Sequence, residues 1–178
     1  IDSAYGVHPD CKSHTGGAMS LGKGCPINNS RKQRINTRSS TEAELVGVND
    51  YMTMVLWVRL FLEAQGIEVV DNIIYQDNKS TMLLEKNGRQ SSGKKTRHFD
   101  IRYYFIHDHI KRGTVRVEYC PTDLMVGDFH TKPLQGSAFR RFRAIILNLP
   151  HDPLLDPMTD SQECVGTVPK PSVRTPVS

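Results

Sequence analysis

The sequence lacks the features that mark membrane-spanning and secreted proteins. It has no uninterrupted apolar run of about 18 residues, the length a helix needs to cross a bilayer, so no membrane span is expected. Its first residues do not show a basic stretch followed by an apolar one, so no signal peptide is expected there. The first residue is Ile rather than Met, which suggests a piece of a longer reading frame.

Cysteine and net charge are also low. The four cysteines are Cys11, Cys25, Cys120 and Cys164, and none forms a C-x-x-C pair. Without a secretory signal, this pattern favours free thiols in a reducing, intracellular setting. The chain has 23 basic and 19 acidic residues, and residues 150–178 hold two of the former and four of the latter. The remainder therefore carries a charge of 21 − 15 = +6, which is compatible with a polyanionic partner but does not require one.

The composition changes near Leu149. Residues 150–178 are rich in Pro, Ser and Thr and show no apolar period, so they cannot bury enough surface to offset the entropy of ordering. We therefore predict one domain over residues 1–149, with most of its first strand missing at the amino terminus, and a disordered tail over residues 150–178.

The pattern of the first part of the chain predicts an antiparallel meander followed by a long helix. Short strands are predicted in IDSAY, around AMSLGKG after the turn-rich HPDCKSHTGG, and in PINNSRKQRIN. Ser39 followed three residues later by Glu42 forms a capping box, and Leu45, Val48 and Met52 recur at helical spacing. Gly66 is the predicted end of this helix.

The second part of the chain alternates strands and helices. Strands are predicted in VVDNIIYQ and TVRVEYCP, and helices in STMLLEKN, from about Phe99 to Lys111, and from about Val126 to Leu147 with an interruption at Pro133. The order predicts an α/β fold in which helices cover a mixed sheet that combines a meander with parallel crossovers.

Four acids lie where such folds form ligand sites. They are Asp2 on the first strand, Glu44 in the first long helix, Asp77 after the buried strand and Asp128 near the start of the last helix. Carboxylates that meet repel unless cations neutralise them, and oxygen ligands suit Mg²⁺ or Mn²⁺. Each acid also has an ordinary interpretation. Asp77 could cap a helix, Glu44 could be solvated, Asp128 could complement a helix dipole, and Asp2 could be a surface acid.

Five blocks of the sequence resemble the successive blocks of the ribonuclease H domain of copia-type retrotransposons. These are DSAYGVHPDCKSHTGG, SRKQRINTRSSTEAEL, YQDNKSTMLL, KKTRHFDIRYYFI and VGDFHTKPL, in the family's order and covering about Asp2 to Leu134. The resemblance implies a ribonuclease H-like, five-stranded mixed sheet with helices on both faces. It also implies an endonuclease that hydrolyses the RNA strand of RNA/DNA hybrids during reverse transcription, using two Mg²⁺ or Mn²⁺ ions.

Carried over block by block, the resemblance makes Asp2, Glu44, Asp77 and Asp128 both the catalytic and the metal-binding residues. Glu42 is the competitor for the helix position, but it already serves the capping box, and Glu44-Leu45 matches the family's catalytic Glu-Leu step. The implied partners are an RNA/DNA hybrid and an upstream reverse transcriptase domain of the same polyprotein, with no membrane. The implied location is a cytoplasmic retroelement particle or the nucleus.

Substrate binding is expected from polar groups beside the acids, with little base specificity because hybrids are recognised by groove shape and the 2′-hydroxyl. The candidates are Lys32, Gln33, Arg34, Ser39, Ser40 and Asn78. An alternative for Lys32 and Arg34 is a solvated strand edge.

Other interpretations remain open. Many cellular ribonucleases H carry a histidine in the loop before the last catalytic Asp, whereas here residues 121–127 have none, and His130 is a candidate substitute. His98 is expected to be structural. His8, Cys11, His14 and Cys25 could supply four zinc ligands, although their spacing is not typical of closed zinc sites. Alternative functions are a catalytically inactive remnant or nucleic-acid-binding module of the same fold, and a transposase or integrase.

Overall fold

The computed structural model describes residues 1–87 and 97–150. The predicted tail, except for residue 150, and the whole of the predicted loop GRQSSGKKT lie outside these residues. The strands are β1 (Asp2–Ala4), β2 (His14–Met19), β3 (Ile27–Lys32), β4 (Ile73–Gln76) and β5 (Arg116–Tyr119). The α-helices are α1 (Ser40–Ala64), α2 (Lys79–Asn87), α3 (Arg97–Lys111) and α4 (Gly136–Leu147). Two short 3₁₀ helices, Thr122–Leu124 and Val126–His130, precede α4.

The five described strands form two hydrogen-bonded sheets. Strands β1, β2 and β3 form an antiparallel meander in which Asp2 lies opposite Gly16, and β4 pairs in parallel with β5. The prediction of a mixed α/β fold with a meander and a parallel crossover is confirmed. The backbone hydrogen bonds do not join the five strands into the single sheet that was expected. Instead, β1, β2 and β3 form one sheet, and β4 and β5 form another. The two sheets meet where the Ile1 amino nitrogen lies 3.2 Å from the Tyr75 carbonyl oxygen.

Helix α1 begins where the capping box predicts. The Glu42 backbone N–H donates to Ser39 Oγ at 3.2 Å, and Glu42 Oε2 accepts from the Arg38 backbone N–H at 2.6 Å. The helix ends before Gly66, whose φ of +79° is a conformation that glycine adopts at low cost. Its inner face packs against β1 and β2 and forms much of the core with side chains from the other elements. The largest fully buried members of this core are Leu45, Met52, Ile106, Val46 and Val48.

By length and composition alone, α1 could also cross a membrane, a property it shares with the core helices of globular domains. Its buried positions are accounted for by this core. The outward apolar side chains include Trp57 and Phe61, which stack on each other with ring centroids 5.4 Å apart.

Strand β2 begins earlier than the sequence suggests. The residues His14 to Gly17 belong to the strand rather than to the preceding turn. Glycines disfavour strands in isolation, but a Cβ built on Gly17 would lie 2.5 Å from the Tyr51 ring of α1. Tyr51 also donates from its hydroxyl to the Ile27 carbonyl oxygen at 3.1 Å. The glycine is therefore required by a close approach of helix and strand.

The segment predicted as the last helix forms two elements, and its first part is not an α-helix. Val126–His130 forms a 3₁₀ helix, and α4 begins only at Gly136. The interruption falls at Pro133 as expected, because proline cannot donate the backbone hydrogen bond that an α-helix needs. Asp128 consequently lies in a tight 3₁₀ turn rather than on the last helix.

Candidate metal centre

Three of the predicted acids come together from three separate elements. Asp2 lies at the start of β1, Glu44 on the second turn of α1, and Asp77 immediately after β4. One carboxylate oxygen from each lies within 4.8 Å of the other two. Asp2 and Glu44 are buried and Asp77 is half-buried. Among the described residues, this is the only group of three or more His, Cys, Asp or Glu side chains arranged to hold a metal ion.

Each of the three acids is oriented by neighbouring groups. Glu44 Oε1 accepts from the Ser3 backbone N–H at 3.2 Å, and Glu44 Oε2 accepts from Gln76 Nε2 at 3.4 Å. Asp77 Oδ2 accepts from the Thr122 hydroxyl at 2.9 Å, and Asp2 Oδ2 accepts from the Thr131 hydroxyl. Donors that hold carboxylates in fixed positions are the usual outer contacts of a metal centre.

The Asp77 carboxylate is not the cap of α2. Asn78 performs that role, because its Oδ1 accepts from the Thr81 backbone N–H at 3.1 Å. The buried Gln76 side chain fixes this corner, and its Oε1 accepts from the backbone N–H groups of Asp77 and Asn78 at 2.9 and 3.2 Å. The Asp77 carboxylate is thereby left to face Asp2 and Glu44.

The cluster has an excess of negative charge. Burial, together with the charges of Asp2 and Asp77, raises the pKa of Glu44 from 4.5 to about 8, against the opposing effect of the Ser3 hydrogen bond. Near neutral pH, Glu44 therefore holds a proton that a divalent cation would displace. The three carboxylates repel one another when ionised, and each offers an oxygen ligand. Such a set of ligands fits Mg²⁺ or Mn²⁺.

The fourth acid, Asp128, lies beside Asp2 and is paired with a lysine. A Cβ built on Gly127 would lie 2.8 Å from the Asp2 backbone nitrogen, so the 3₁₀ helix and β1 are in close contact. Lys132 Nζ lies 2.7 Å from Asp128 Oδ1 and 4.0 Å from Asp2 Oδ1. Asp128 is outside the three-acid group, and the Lys132 ammonium contacts one carboxylate oxygen of each aspartate.

Burial raises the pKa of Asp128 to about 6, although the contact with Lys132 opposes this rise. Burial also lowers the pKa of Lys132, but the hydrogen bond to Asp128 and the charge of Asp2 outweigh that effect, so the net shift is upward. Lys132 therefore stays protonated and supplies a resident positive charge to this side of the site.

The sequence of the chain is similar to those of Pol polyproteins from plant transposons. The chain is 25% identical over 135 residues to the "Retrovirus-related Pol polyprotein from transposon TNT 1-94" of Nicotiana tabacum, covering 76% of the chain and 10% of that protein. It is 35% identical over 118 residues to the polyprotein from transposon RE1 of Arabidopsis thaliana, covering 66% of the chain and 8% of that protein. For transposon RE2 of the same plant the identity is 34% over 114 residues, covering 64% and 8%.

The chain is related to a region of retrotransposon Pol polyproteins. It spans about a tenth or less of the length of these relatives. No protein-family model matches the chain. No solved structure matches it either.

The predicted substrate-binding residues of this polyprotein region differ in what their side chains do. Lys32 and Arg34 are exposed, and Lys32 Nζ forms a salt bridge with Asp10 at 2.7 Å. Gln33 is buried, and its Nε2 donates to Thr15 Oγ1 and to the Ala43 carbonyl oxygen, both at 2.9 Å. The Gln33 amide is therefore committed to interior contacts.

The remaining candidates lie at helix starts. Ser39 caps α1, Ser40 is exposed at its first position, and Asn78 caps α2. The capping hydroxyl and amide oxygen are already engaged, so the exposed Ser40 is the freest of the three to meet a substrate. Their role in substrate binding stays a prediction.

His130 was the candidate for the missing loop histidine, and His98 was expected to be structural. His130 Nε2 lies 3.1 Å from Asn28 Oδ1, so this ring nitrogen is engaged with strand β3. The side chain of His98 lies outside the part of the chain that the structure describes.

The four-ligand zinc alternative is not supported by the geometry. His14 begins β2, whereas Cys25 lies beyond its other end, buried, with its backbone N–H bonded to the Ile146 carbonyl oxygen at 2.9 Å. Strand β2 runs for six residues from His14 to Met19, and Cys25 lies past its far end. Cys25 is therefore too far from His14 to share a metal ion with the histidines. Among the described residues, Cys11, Cys25 and Cys120 form no disulfide bond.

Sequence reasoning missed Thr131, Lys132 and Gln76 as parts of the site. Lys132 stands four residues after Asp128, a spacing that often pairs opposite charges, and this signal was present in VGDFHTKPL. The contact between Thr131 and Asp2 joins residues 129 positions apart, for which one sequence offers no local signal.

Proposed function

We propose that this chain is the ribonuclease H domain of a retrotransposon polyprotein, an endonuclease that hydrolyses the RNA strand of RNA/DNA hybrids. The observation that carries the proposal is the meeting of Asp2, Glu44 and Asp77 within 4.8 Å, with Asp128 next to Asp2. The relation of the chain to retrotransposon Pol polyproteins adds support, because a reverse-transcribing element must remove RNA from the hybrid that it makes.

The proposal includes two divalent ions, Mg²⁺ or Mn²⁺. Asp2, Glu44 and Asp77 would hold one ion, and Asp2 with Asp128 would contribute to a second. A pair of such ions supplies an activated water and stabilises the charge that develops on the phosphodiester. The hydrogen bonds from Ser3 and Gln76 to Glu44 and from Thr122 to Asp77 would hold these carboxylates in position.

Cation binding would require two changes at the site, one at Glu44 and one at the Lys132–Asp128 salt bridge. Glu44, whose raised pKa keeps it protonated near neutral pH, would have to lose that proton to serve as a cation ligand. Lys132 must leave Asp128 Oδ1, which lies 2.7 Å away, before that oxygen can serve as a ligand. The Lys132 ammonium, which is part-exposed, would then be available to a phosphate of the substrate.

The finer fold assignment belongs to the same proposal. A ribonuclease H-like sheet of five strands with helices on both faces would require β1 to run beside β4. The Ile1 amino nitrogen already lies 3.2 Å from the Tyr75 carbonyl oxygen of β4, which supports this arrangement. The partners proposed are an RNA/DNA hybrid and a reverse transcriptase domain of the same polyprotein, within an intracellular retroelement particle.

Substitution of Asp77 tests the proposal against a matched control on the same strand segment. Asp77→Asn removes the negative charge of a proposed ligand after β4 while keeping the shape of its side chain. The control Asp71→Asn removes the charge of an exposed acid before β4, which forms a salt bridge with Arg116. With Mg²⁺, the unmodified chain and Asp71→Asn should cleave labelled RNA in a hybrid but not duplex DNA. Asp77→Asn should lose on the order of a hundredfold in rate or more, as expected when electrostatic stabilisation is removed. Unchanged cleavage by Asp77→Asn would refute the assignment.

A non-catalytic nucleic-acid-binding module is the second candidate. It is favoured by one observation, that the Lys132 ammonium forms a salt bridge with Asp128 at 2.7 Å and so supplies a positive charge to this carboxylate. Hybrid binding that persists in chelator, combined with no Mg²⁺- or Mn²⁺-dependent cleavage, would support this candidate over the nuclease.

A further inference from the structure

Two histidines outside the acidic cluster face each other through ring nitrogens. His8 lies in the turn between β1 and β2, and His14 is the first residue of β2. His8 Nε2 lies 3.0 Å from His14 Nδ1, and the ring centroids are 5.2 Å apart. The turn is fixed by backbone hydrogen bonds from His8 N–H to the Lys12 carbonyl oxygen at 3.1 Å and from Cys11 N–H to the His8 carbonyl oxygen at 2.8 Å. The two imidazoles are thus held together by the backbone.

The positions of the protons follow from the next two hydrogen bonds. Ser30 Oγ lies 2.7 Å from the His130 carbonyl oxygen, which can only accept, so Ser30 donates its single proton there. Ser30 Oγ also lies 2.9 Å from His14 Nε2 and must accept from it. A neutral imidazole carries one proton, so His14 Nδ1 has a free lone pair directed at His8 Nε2.

This arrangement has the features of a transition-metal site with two protein ligands. Neutral imidazole nitrogens bind Zn²⁺, Cu²⁺ and Ni²⁺, and Zn–N bonds of 2.0–2.1 Å at a tetrahedral angle place the two nitrogens about 3.3 Å apart. The observed 3.0 Å is within a few tenths of an ångström of that separation. The N–H of His14 that donates to Ser30 is the outer contact that usually fixes a metal-binding histidine.

We propose that His8 Nε2 and His14 Nδ1 together bind a divalent transition-metal ion of the zinc class, at a site separate from the carboxylate cluster. His8 would shift its proton from Nε2 to Nδ1, and the two rings would rotate so that the lone pairs of His8 Nε2 and His14 Nδ1 converge on the ion. Both histidines are half-buried, which leaves the other coordination positions open to water. In the described residues no third His, Cys, Asp or Glu ligand completes this pair.

The electrostatics and position of the pair support the proposal. Burial, together with the neighbouring His8, lowers the pKa of His14, which keeps the ring neutral and able to bind a metal. The pair is linked through Ser30 to the carbonyl of His130, two residues after Asp128. A bound ion would therefore fix the β1–β2 turn and the strand that supports the Asp128 turn. The proposal does not depend on the nuclease assignment.

Zinc titration of the whole chain tests the site. Chelator-treated protein receives Zn²⁺ in competition with a chromogenic chelator, in excess Mg²⁺ so that the carboxylates are occupied by an ion that imidazole binds poorly. One zinc per chain is expected. His8→Gln and His14→Gln should each weaken binding at least about tenfold, and Ser30→Ala about tenfold through the lost outer contact. The control His109→Gln, on α3, should bind as the unmodified chain does.

The ring-nitrogen signals of the histidines locate the ion directly. In ¹⁵N NMR spectra, zinc should shift His8 Nε2 and His14 Nδ1, with the His109 nitrogens unchanged. Equal zinc binding by the His8→Gln/His14→Gln double variant would overturn the proposal, as would the absence of any shift at these two nitrogens. Retained binding by Cys11→Ser would support a site of two imidazoles, whereas its loss would show that the exposed thiol is required and would overturn that site.

Discussion

Glu44 should make the metal-free protein less stable as the pH rises, and Glu44→Gln should remove this effect. The folded pKa of about 8 lies above the ordinary 4.5. Between these values the folded chain holds a proton that the unfolded chain has lost. The stability associated with Glu44 is therefore fully present below about pH 4.5 and is lost as the pH rises through about 8.

The size of the effect follows from the difference between the two pKa values. A rise of about 3.5, at 1.36 kcal/mol for each pKa unit, corresponds to on the order of 5 kcal/mol of unfolding free energy at pH 8 and above. Replacing the acid by Gln disturbs the Gln76 hydrogen bond, which costs about 1 kcal/mol. The charge effect is the larger, so Glu44→Gln should be the more stable protein at pH 8 in chelator.

Urea unfolding followed by circular dichroism over pH 4.5–8.5, in chelator, measures this difference. Asp128, with a pKa of about 6, adds a slope of the same sign to both proteins, so the difference curve isolates Glu44. The control is Glu42→Gln, which keeps an acceptor for the Arg38 N–H but removes the negative charge at the start of α1, and should lower stability by about 0.3–1 kcal/mol. Mg²⁺ should flatten the slope of the unmodified chain, because it stabilises the ionised Glu44. A Glu44→Gln protein less stable than the unmodified chain at pH 8 in chelator would refute this reasoning.

Three further substitutions have expected outcomes. Lys132→Met should lower the unfolding free energy in chelator by about 1–3 kcal/mol near pH 7, because Asp128 loses its partner, and Mg²⁺ should raise its melting temperature more than that of the unmodified chain. Gly127→Ala should cost about 1–3 kcal/mol in urea unfolding, because its Cβ would lie 2.8 Å from the Asp2 backbone nitrogen, and hybrid cleavage should fall with it. Gln33→Ala should cost about 1–3 kcal/mol in the same assay and leave the KM for a hybrid unchanged, since its amide is bonded inside the fold. A raised KM without a loss of stability would show instead that Gln33 contacts substrate.

Elements with local signals were predicted best. The start of α1 depends on Ser39 and Glu42, which act within one turn, and its end depends on Gly66. The boundaries of β2 were predicted less well, because Gly17 belongs to a strand only where the Tyr51 ring packs against it. The interruption of the last helix at Pro133 was predicted correctly, but the segment around Asp128 before it forms a 3₁₀ turn rather than an α-helix, and α4 begins only at Gly136.

The candidate site divides in a similar way. Asp2, Glu44 and Asp77 were chosen from the resemblance and from their positions at strand ends and in the helix, and the structure brings them together, although their role as ligands stays a prediction. The pairing of Lys132 with Asp128 and the proximity of His8 to His14 required three-dimensional geometry.

The sequence by itself determined the mixed α/β class, the capped helix α1 and the choice of acids, because capping, periodicity and block motifs are properties of neighbouring residues. Only the tertiary structure decided which carboxylates repel one another, which one Lys132 neutralises, and that Gln33 points inward. These depend on distances between residues far apart in the chain, and both the burial and the Coulomb energy that set a pKa arise only when those residues meet.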